Sequence, residues 1–140
     1  RQMCIRDRDL VAAEAVIEHD YNLHFVKRPL PRFEADAEWL VRLREAAVDI
    51  CTVQFGTIAS GDEDIVDAER ARELRALTGA CAVTWESAGL ARACKMQHVP
   101  FLEIRAITDS ADKDAIADLQ KNLAVGMRNV AVVLGSLFGN

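Results

Sequence analysis

Two apolar runs in the chain each lead into an acidic residue: residues 82–89 read AVTWESAG, and residues 100–109 read PFLEIRAITD. Glu86 follows the first run, and Asp109 ends the second. In open α/β sheets, side chains just past the carboxyl ends of the strands line the ligand crevice. We therefore expect the two carboxylates to face one bound molecule, as they would in an active site.

The composition predicts a folded, soluble protein without a polyanionic partner. Of the 140 residues, 51% are hydrophobic, which is enough for a sizeable core in one domain or part of one. The net charge of -5 argues against nucleic acid or an anionic membrane as a partner, because either would require a basic patch. No apolar run reaches the roughly 20 residues that span a bilayer, and no signal peptide is visible.

The cysteines and histidines do not form a metal-binding pattern. No two cysteines have the CxxC spacing, and the three histidines do not complete a ligand set with them. The cysteines are Cys4, Cys51, Cys81 and Cys94. We therefore expect no bound metal, and a reduced cytoplasmic setting is the simplest interpretation.

The first eight residues, RQMCIRDR, are unusual for the start of a protein. Position 1 is not Met, and the octapeptide resembles a translated sequencing-adapter tail. We interpret residues 1–8 as a non-native leader and exclude them from the fold. Residues 9–140 are then expected to be the carboxyl-terminal portion of a single domain whose amino-terminal half is missing.

Residue spacing predicts an alternation of strands and helices. Strands are predicted at Leu10–Glu18, 48–58, 81–85 and 99–107, and helices at Ala37–Ala47, 68–77, 87–97 and 113–138. Asp36 and Asp67 are predicted to cap the first two helices, and Gly79 to end the second. Residues 29–31, which contain two prolines, are predicted to be loop. This order indicates a layered αβα domain around a central, mostly parallel or mixed sheet.

Two patterns predict which side chains are buried. Apolar residues in the last helix recur at intervals of three or four, as in a helix that covers a sheet. They are Ile116, Leu119, Leu123, Met127, Val130, Leu134 and Leu137. Glu103 and Arg105 lie two apart in a predicted strand and share a face, so we expect a partly buried ion pair.

Each of the two carboxylates has a structural interpretation beside the functional one. Asp109 could form a turn or cap a helix, and Glu86 could compensate the dipole of the helix that follows it. In a functional role, Glu86 could accept hydrogen bonds from vicinal hydroxyls such as those of a ribose. Asp109 could protonate a leaving-group nitrogen. These residues alone leave both interpretations open.

Three ordered motifs resemble the nucleoside phosphorylase and nucleosidase superfamily, and within it the 5'-methylthioadenosine/S-adenosylhomocysteine nucleosidases. The motifs are residues 56–62 (GTIASGD), 82–88 (AVTWESA) and 99–112 (VPFLEIRAITDSAD). The resemblance implies a phosphorylase/hydrolase-like fold and an N-ribosyl hydrolase that releases adenine from methylthioadenosine or S-adenosylhomocysteine. It also implies no metal or organic cofactor, a purine nucleoside as ligand, a role in methionine salvage, and a homodimer when the protein is complete.

The same resemblance assigns roles to residues of this chain. It implies that Asp109 protonates N7 of adenine while the N-glycosidic bond breaks, and that Glu86 binds the ribose hydroxyls. It implies that Trp85 packs on the sugar and that backbone groups around Ile65 contact the adenine edge. Such an arrangement stabilises an oxocarbenium-like transition state, because it neutralises the departing base and places negative charge near the sugar.

The chain departs from the family pattern at four positions. Where this chain has Trp85 the family usually has Met, and where it has Thr84 the family has an acidic residue. An aromatic residue that stacks on adenine is expected at the position of Asp64, and a Phe that lines the pocket for the 5' substituent corresponds to Leu119. The identity of the nucleoside therefore stays open.

The reaction type also stays open. In the family, the glutamate that activates water and the residues that bind phosphate belong to the amino-terminal half. A purine nucleoside phosphorylase and a non-catalytic nucleoside-binding domain therefore remain alternatives to the hydrolase. For the same reason we expect the 140-residue chain by itself to be inactive.

Overall fold

The computed structural model describes residues 9–22, 25–26, 28–47, 52–109 and 115–139. After two consecutive strands at the start, helices and strands alternate through these residues. The strands are β1 (Leu10–Glu18), β2 (Arg32–Glu34), β3 (Val53–Ser60), β4 (Ala82–Thr84) and β5 (Ile104–Ala106). The helices are α1 (Ala37–Ala47), α2 (Ala68–Thr78), α3 (Ser87–Met96) and α4 (Ala115–Phe138). Among these helices, none has both the length and the apolar character needed to cross a bilayer.

The strands form one mixed sheet in the order β2-β1-β3-β4, with β5 also paired to β1. β1 and β3 are parallel along their length, and β3 and β4 are parallel. β2 and β5 are both antiparallel to β1, β5 beside Leu10–Ala12 and β2 beside Ala15–Ile17. The predicted layered α/β fold with a parallel or mixed sheet is confirmed.

The direction of β5 corrects the expectation about the two carboxylates. The carboxyl end of β4 lies beside the carboxyl end of β3, where Thr84 pairs with Ser60. The carboxyl end of β5 instead lies beside the amino end of β1, where Ala106 pairs with Leu10. Glu86 and Asp109 therefore do not follow parallel strands that end at one edge of the sheet. That premise is wrong because β5 is antiparallel to β1.

A β-bulge at Glu14 determines which side chains of β1 share a face. Ala13 pairs with Gly56 and Ala15 pairs with Thr57, so Glu14 is an additional residue in β1. An inserted residue moves all later side chains to the opposite face. This is why Val11 and Ala13 pack in the same cluster as residue 16, three positions further on.

Helices cover both faces of the sheet. On one face, which we call the α3 face, α3 packs through Ala88 and Ala91 against a cluster from the strands and neighbouring loop. Its other buried members are Val11, Ala13, Val16, Phe33, Ile58 and Phe101. On the opposite face, which we call the α1/α4 face, both helices cover Leu10 and Ala12. Their buried side chains there are Leu43, Val133 and Leu137. This gives the predicted αβα layering.

The predicted helix caps are confirmed. The Asp36 carboxylate accepts a hydrogen bond from the backbone N–H of Trp39 at 3.0 Å. The Asp67 carboxylate accepts one from the backbone N–H of Glu69 at 2.7 Å. Gly79 ends α2 in the left-handed conformation, with φ of 70°, as glycine can without a Cβ. The bounds predicted for β1 and α1 are those of the structure.

Other strand predictions were less accurate. Of the predicted 99–107 strand, Ile104–Ala106 forms β5, and backbone hydrogen bonds of Glu103 to Ala13 and of Ile107 to Asp9 flank it. The pairing does not extend towards residue 99, because β1 is paired with β2 from Ala15 onward. The predicted 48–58 strand is observed as Val53–Ser60, and residues 48–51 lie outside the described residues. β4 is shorter than predicted and only half-buried. The three-residue β2, which directly follows the predicted loop, was not predicted.

The buried face of α4 also differs from the prediction. Of the predicted stripe, only Leu137 is buried and Val130 half-buried, whereas Leu119 is 41% exposed and Ile116 is 74% exposed. The exposed remainder is Leu123, Met127 and Leu134. In its first half α4 instead faces the sheet through small and polar positions, whereas in its second half Val133 joins Leu137 in covering the sheet. A Cβ added to Gly126 would lie 2.8 Å from the Ala106 Cβ, and Asn122 is buried. Hydrophobic spacing could not predict this, because neither residue is a large apolar one.

Candidate functional site

The start of α3 leaves the Glu86 side chain available for other contacts. Glu86 occupies the N-cap position, but its carboxylate makes no capping hydrogen bond. The Ser60 hydroxyl, at the end of β3, caps the helix instead. It accepts from the Ala88 backbone N–H at 3.0 Å and donates to the Trp85 carbonyl at 3.2 Å. Capping therefore does not account for a carboxylate at position 86.

The Glu86 carboxylate is paired with Arg105 in a four-residue network. Arg105 Nη2 lies 2.8 Å from Glu86 Oε2, and Arg105 Nε lies 2.6 Å from Glu103 Oε1. The Ser87 hydroxyl donates to the same Glu103 oxygen at 2.5 Å. The predicted Glu103–Arg105 pair is thus confirmed. Burial lowers the pKa of the Arg105 guanidinium, but hydrogen bonds and charges of Glu103 and Glu86 raise it by more, so the pKa stands above its ordinary value.

Trp85 connects the start of α3 with the segment that follows β3. Its indole Nε1–H donates to the Glu63 carbonyl at 3.3 Å, although the residue is 59% exposed. The next residues of that segment are Asp64, which is exposed, and Ile65, which is buried. Arg70 holds the Glu63 carboxylate at 2.7 Å and thereby lowers the pKa of Glu63. The structure therefore brings Trp85 beside the segment that contains Asp64 and Ile65.

The turn after β1 fixes the beginning of the same segment. The Asp20 carboxylate accepts from the Asp62 backbone N–H at 2.7 Å, and the Gly61 backbone N–H donates to the Thr84 carbonyl at 3.1 Å. A Cβ added to Gly61 would lie 2.5 Å from Nε2 of the buried His19 ring. Only glycine lets the backbone pass this close to the ring. The segment from residue 61 is therefore held from both β1 and β4.

Asp109 lies three residues after the end of β5 and is the last described residue before the gap at 110–114. The Thr108 hydroxyl donates to Asp109 Oδ2 at 2.9 Å, and Asn122 of α4 donates to the Thr108 carbonyl at 3.0 Å. Leu119 lies three residues before Asn122 on the same helix. Residues 110–114 lie outside the described residues, so the interpretation of Asp109 as a helix cap stays a prediction.

The structure thus arranges the predicted site residues in two groups. Thr84 and Trp85 are hydrogen-bonded to the 61–65 segment and Glu86 directly follows them, whereas Asp109 lies with α4. Strand β5 connects the groups, because Arg105 binds Glu86 and precedes Asp109 by four residues in the chain. The sequence interpretation missed Ser60 and Ser87. A serine at a helix start is a capping signal, but here the cap comes from a residue 28 positions away.

A surface groove lies along β5. A mainly apolar groove of about 550 Å³ runs between α3 and α4, with Leu90, Leu102, Ile104 and Leu134 in its walls. Glu103 and Arg105 reach this groove, but its lining includes neither Glu86 nor Asp109. Within the described residues there is no group of three or more His, Cys, Asp or Glu side chains arranged to hold a metal ion.

Comparison with known proteins identifies the family. A family model described as the phosphorylase superfamily matches residues 2–138. The chain belongs to the phosphorylase superfamily. Within this superfamily it is 35% identical, over 117 residues, to the 5'-methylthioadenosine/S-adenosylhomocysteine nucleosidase of Bacillus subtilis strain 168. That match covers 76% of the chain and 51% of the relative.

Two solved structures of the superfamily are similar to this chain throughout. One is the 5'-methylthioadenosine/S-adenosylhomocysteine nucleosidase from Neisseria meningitidis in complex with methylthio-immucillin-A, with a TM-score of 0.87, 28% identity, and coverage of 96% of the chain and 63% of the neighbour. The other is futalosine hydrolase of Helicobacter pylori strain 26695, with a TM-score of 0.88, 28% identity, and coverage of 95% and 60%. The chain thus spans about half to two thirds of the length of these relatives.

Proposed function

We propose that the complete protein is an N-ribosyl hydrolase that cleaves the glycosidic bond of 5'-methylthioadenosine or S-adenosylhomocysteine and releases adenine. The observation that carries this proposal is the pairing of Glu86 with Arg105 at a helix start that Ser60 already caps. The similarity to nucleosidases, one of them in complex with a nucleoside analogue, supports the choice of ligand. We also propose that this hydrolase needs no metal or organic cofactor.

In this proposal Glu86 accepts hydrogen bonds from the ribose hydroxyls. A carboxylate can accept from two neighbouring hydroxyls at once, and Arg105 orients it from the other side. The sugar becomes positively charged as the glycosidic bond breaks. A preorganised negative charge beside the sugar therefore stabilises the transition state more than the ground state.

Asp109 is proposed as the general acid that protonates N7 of adenine. The Thr108 hydroxyl and the Asn122 amide hold this part of the loop, so the carboxyl group has a defined position. Protonating the base turns a poor leaving group into a neutral one. General-acid catalysis of this kind typically contributes about 10²- to 10⁴-fold to the rate.

The remaining predicted residues are proposed to shape the pocket. Trp85 packs on the sugar, the backbone at Ile65 meets the adenine edge, and Asp64 and Thr84 lie nearby. Leu119 is proposed to contact the 5' substituent. Residues 9–140 are proposed to be the carboxyl-terminal portion of one domain in a cytoplasmic homodimer that serves methionine salvage.

A second substrate has a specific observation in its favour. The futalosine hydrolase structure is as similar to this chain as the methylthioadenosine enzyme is, with TM-scores of 0.88 and 0.87. A relative from Helicobacter pylori, 31% identical over 119 residues, is named aminodeoxyfutalosine nucleosidase. The alternative is therefore a hydrolase of a larger 5'-substituted nucleoside with the same acid and ribose-binding residues.

The test compares substrates and co-substrates in one assay. The protein expressed from the complete reading frame that contains these residues is incubated with methylthioadenosine, S-adenosylhomocysteine and aminodeoxyfutalosine, each with and without phosphate. We expect adenine release from one of the first two without phosphate. Release that requires phosphate would identify a phosphorylase, and nucleoside binding without any product would identify a binding domain. The 140-residue chain is assayed in parallel and is expected to be inactive.

A further inference from the structure

Glu103 is a carboxylate in a position where its charge is unfavourable for stability. It is 7% exposed, and its Oε1 accepts hydrogen bonds from Ser87 Oγ and Arg105 Nε. Its Oε2 is buried without a hydrogen-bond partner among the residues that the structure describes. Burying a carboxylate costs free energy, and an apolar residue of similar volume often serves the packing as well. What Glu103 holds in place is therefore a better explanation for it than packing.

Arg105, which binds the Glu103 carboxylate, orients the side chain of Glu86. The Arg105 guanidinium is a rigid planar fork, so a hydrogen bond from Nε to Glu103 also sets the direction of Nη2. Nη2 is the atom that binds Glu86. An ion pair as exposed as Glu86–Arg105 is weak and poorly ordered when it stands alone. The buried Glu103 supplies the fixed end that such a pair lacks.

Ser87, which also binds the Glu103 carboxylate, restrains the backbone of Glu86. Ser87 directly follows Glu86, and its hydroxyl donates to Glu103. Because this hydroxyl donates to Glu103, it accepts from the hydroxyl of Thr84, with which it is also hydrogen-bonded. Glu103 therefore restrains both the side chain of Glu86, through Arg105, and its backbone, through Ser87.

We propose that Glu103 is a positioning residue that sets the preference of the enzyme for a ribose with intact hydroxyls. The proposal rests on the proposed function, in which Glu86 accepts hydrogen bonds from those hydroxyls. Glu103 does not touch the substrate. It acts by holding Glu86 in the binding orientation before the substrate arrives, so that binding does not have to order the side chain.

The first test measures preference rather than total activity. The ratio of kcat/KM for methylthioadenosine to that for its 2'-deoxy analogue is determined for the wild-type complete protein, Glu103→Met and Glu103→Gln. We expect the ratio to fall by at least about threefold in Glu103→Met, a typical coupling between contacting residues. It should fall less in Glu103→Gln, which keeps a neutral acceptor oxygen. In a Glu86→Gln background, Glu103→Met should lower the ratio no further.

The matched control is Glu14→Gln. Glu14 is also a strand glutamate with an arginine partner, Arg44, at 2.5 Å, but it has no contact with the network of Glu103. The ratio of the two kcat/KM values in Glu14→Gln should equal that of the wild type. Unfolding midpoints of all variants are measured as well, to show that each variant is folded. We expect Glu103→Met to remain folded, because Arg105 keeps Glu86 as a partner.

The second test observes Arg105 directly. Hydrogen exchange of the Arg105 Nε–H, measured by NMR, should be slow in the wild type and in Glu14→Gln and faster in Glu103→Met. Unchanged exchange overturns the proposal, and so does a wild-type ribose preference that survives in Glu103→Met. Both outcomes leave the proposed function intact. A wild-type protein that cleaves neither nucleoside contradicts the proposed function, and the proposal for Glu103 fails with it.

Discussion

The two faces of the sheet are packed with different chemistry. On the α1/α4 face the buried cluster is apolar and includes Leu43 and Val133, and α4 adds the buried but uncharged amide of Asn122. The α3 face also has an apolar cluster, but Glu103, Ser60 and Ser87 are buried at its border. The three-residue β5 contributes to both: Ile104 and Ala106 pack on the α1/α4 face, whereas Arg105 reaches Glu86 at the start of α3. Alternation along one strand thus separates residues that stabilise the fold from residues that are proposed to act on a ligand.

This difference predicts that some substitutions change activity without changing stability. The largest expected effect is that of Asp109→Asn, which keeps the size of the side chain and its ability to accept from Thr108 but cannot act as the acid. Turnover of methylthioadenosine by the complete protein should fall about 10²- to 10⁴-fold. The unfolding midpoint should stay the same, because Asp109 belongs to neither apolar cluster.

Asp67→Asn is the control for this variant, since asparagine caps a helix about as well as aspartate. It should retain wild-type turnover. Full activity in Asp109→Asn would remove Asp109 from the acid role.

On the α1/α4 face we expect substitutions to lower stability. Leu43 is fully buried in α1, and Leu43→Ala should lower the free energy of unfolding by about 2–5 kcal/mol, through lost burial and the cavity left behind. Val41→Ala, at an exposed position of the same helix, should change it by less than about 0.5 kcal/mol. Urea denaturation measures both. If the two variants lost equal stability, the apolar cluster would not be the main support of the fold.

Two glycines of α4 test how closely this helix approaches β5. Gly126→Ala would place a methyl group 2.8 Å from the Ala106 Cβ, and the resulting overpacking should cost about 1–3 kcal/mol. Gly135→Ala meets no atom within 4 Å and should stabilise the helix by about 0.5–1 kcal/mol. Thermal unfolding should therefore shift in opposite directions for the two variants. A shift in the same direction would show that α4 does not rest on β5 at Gly126.

Local signals in the sequence were sufficient for much of the fold. The bounds of β1 and α1, the caps at Asp36 and Asp67 and the stop at Gly79 depend on residues within one or two turns of each other. The direction of β5 depends instead on its pairing with Leu10–Ala12, more than 90 positions earlier. No local pattern carries that information, which is why the two carboxylates were expected at one edge of the sheet.

The candidate site shows the same limit. The Glu103–Arg105 pair was predicted because its two residues share a strand face two positions apart. Its extension to Glu86 and Ser87 joins residues 16 to 19 positions apart and required the packing of α3 on the sheet. The buried stripe of α4 was misjudged because hydrophobic spacing gives no weight to glycine and asparagine, and Gly126 and Asn122 make contacts of this helix beside those of Val133 and Leu137.

The smallest expected effect concerns a thiol on the α3 face. Cys81 packs against the apolar cluster there, and its Sγ–H donates to the Thr57 carbonyl at 3.3 Å. Burial raises the pKa of this thiol above its ordinary value. Unfolding releases the thiol to ionise at its ordinary pKa. Its contribution to stability is therefore complete below that pKa and is lost as the pH rises through the pKa of the folded state.

Cys81→Ala tests this contribution. The free energy of unfolding, measured in urea at neutral and at alkaline pH, should fall less between the two conditions in Cys81→Ala than in the wild type, because the variant has no thiol to ionise at this position. Comparing the two falls removes the contribution of other groups that titrate at alkaline pH. If the free energy of unfolding decreased equally in both proteins, the folded α3 face would accommodate a thiolate at Cys81 as readily as water does. The apolar cluster of that face would then end before Cys81.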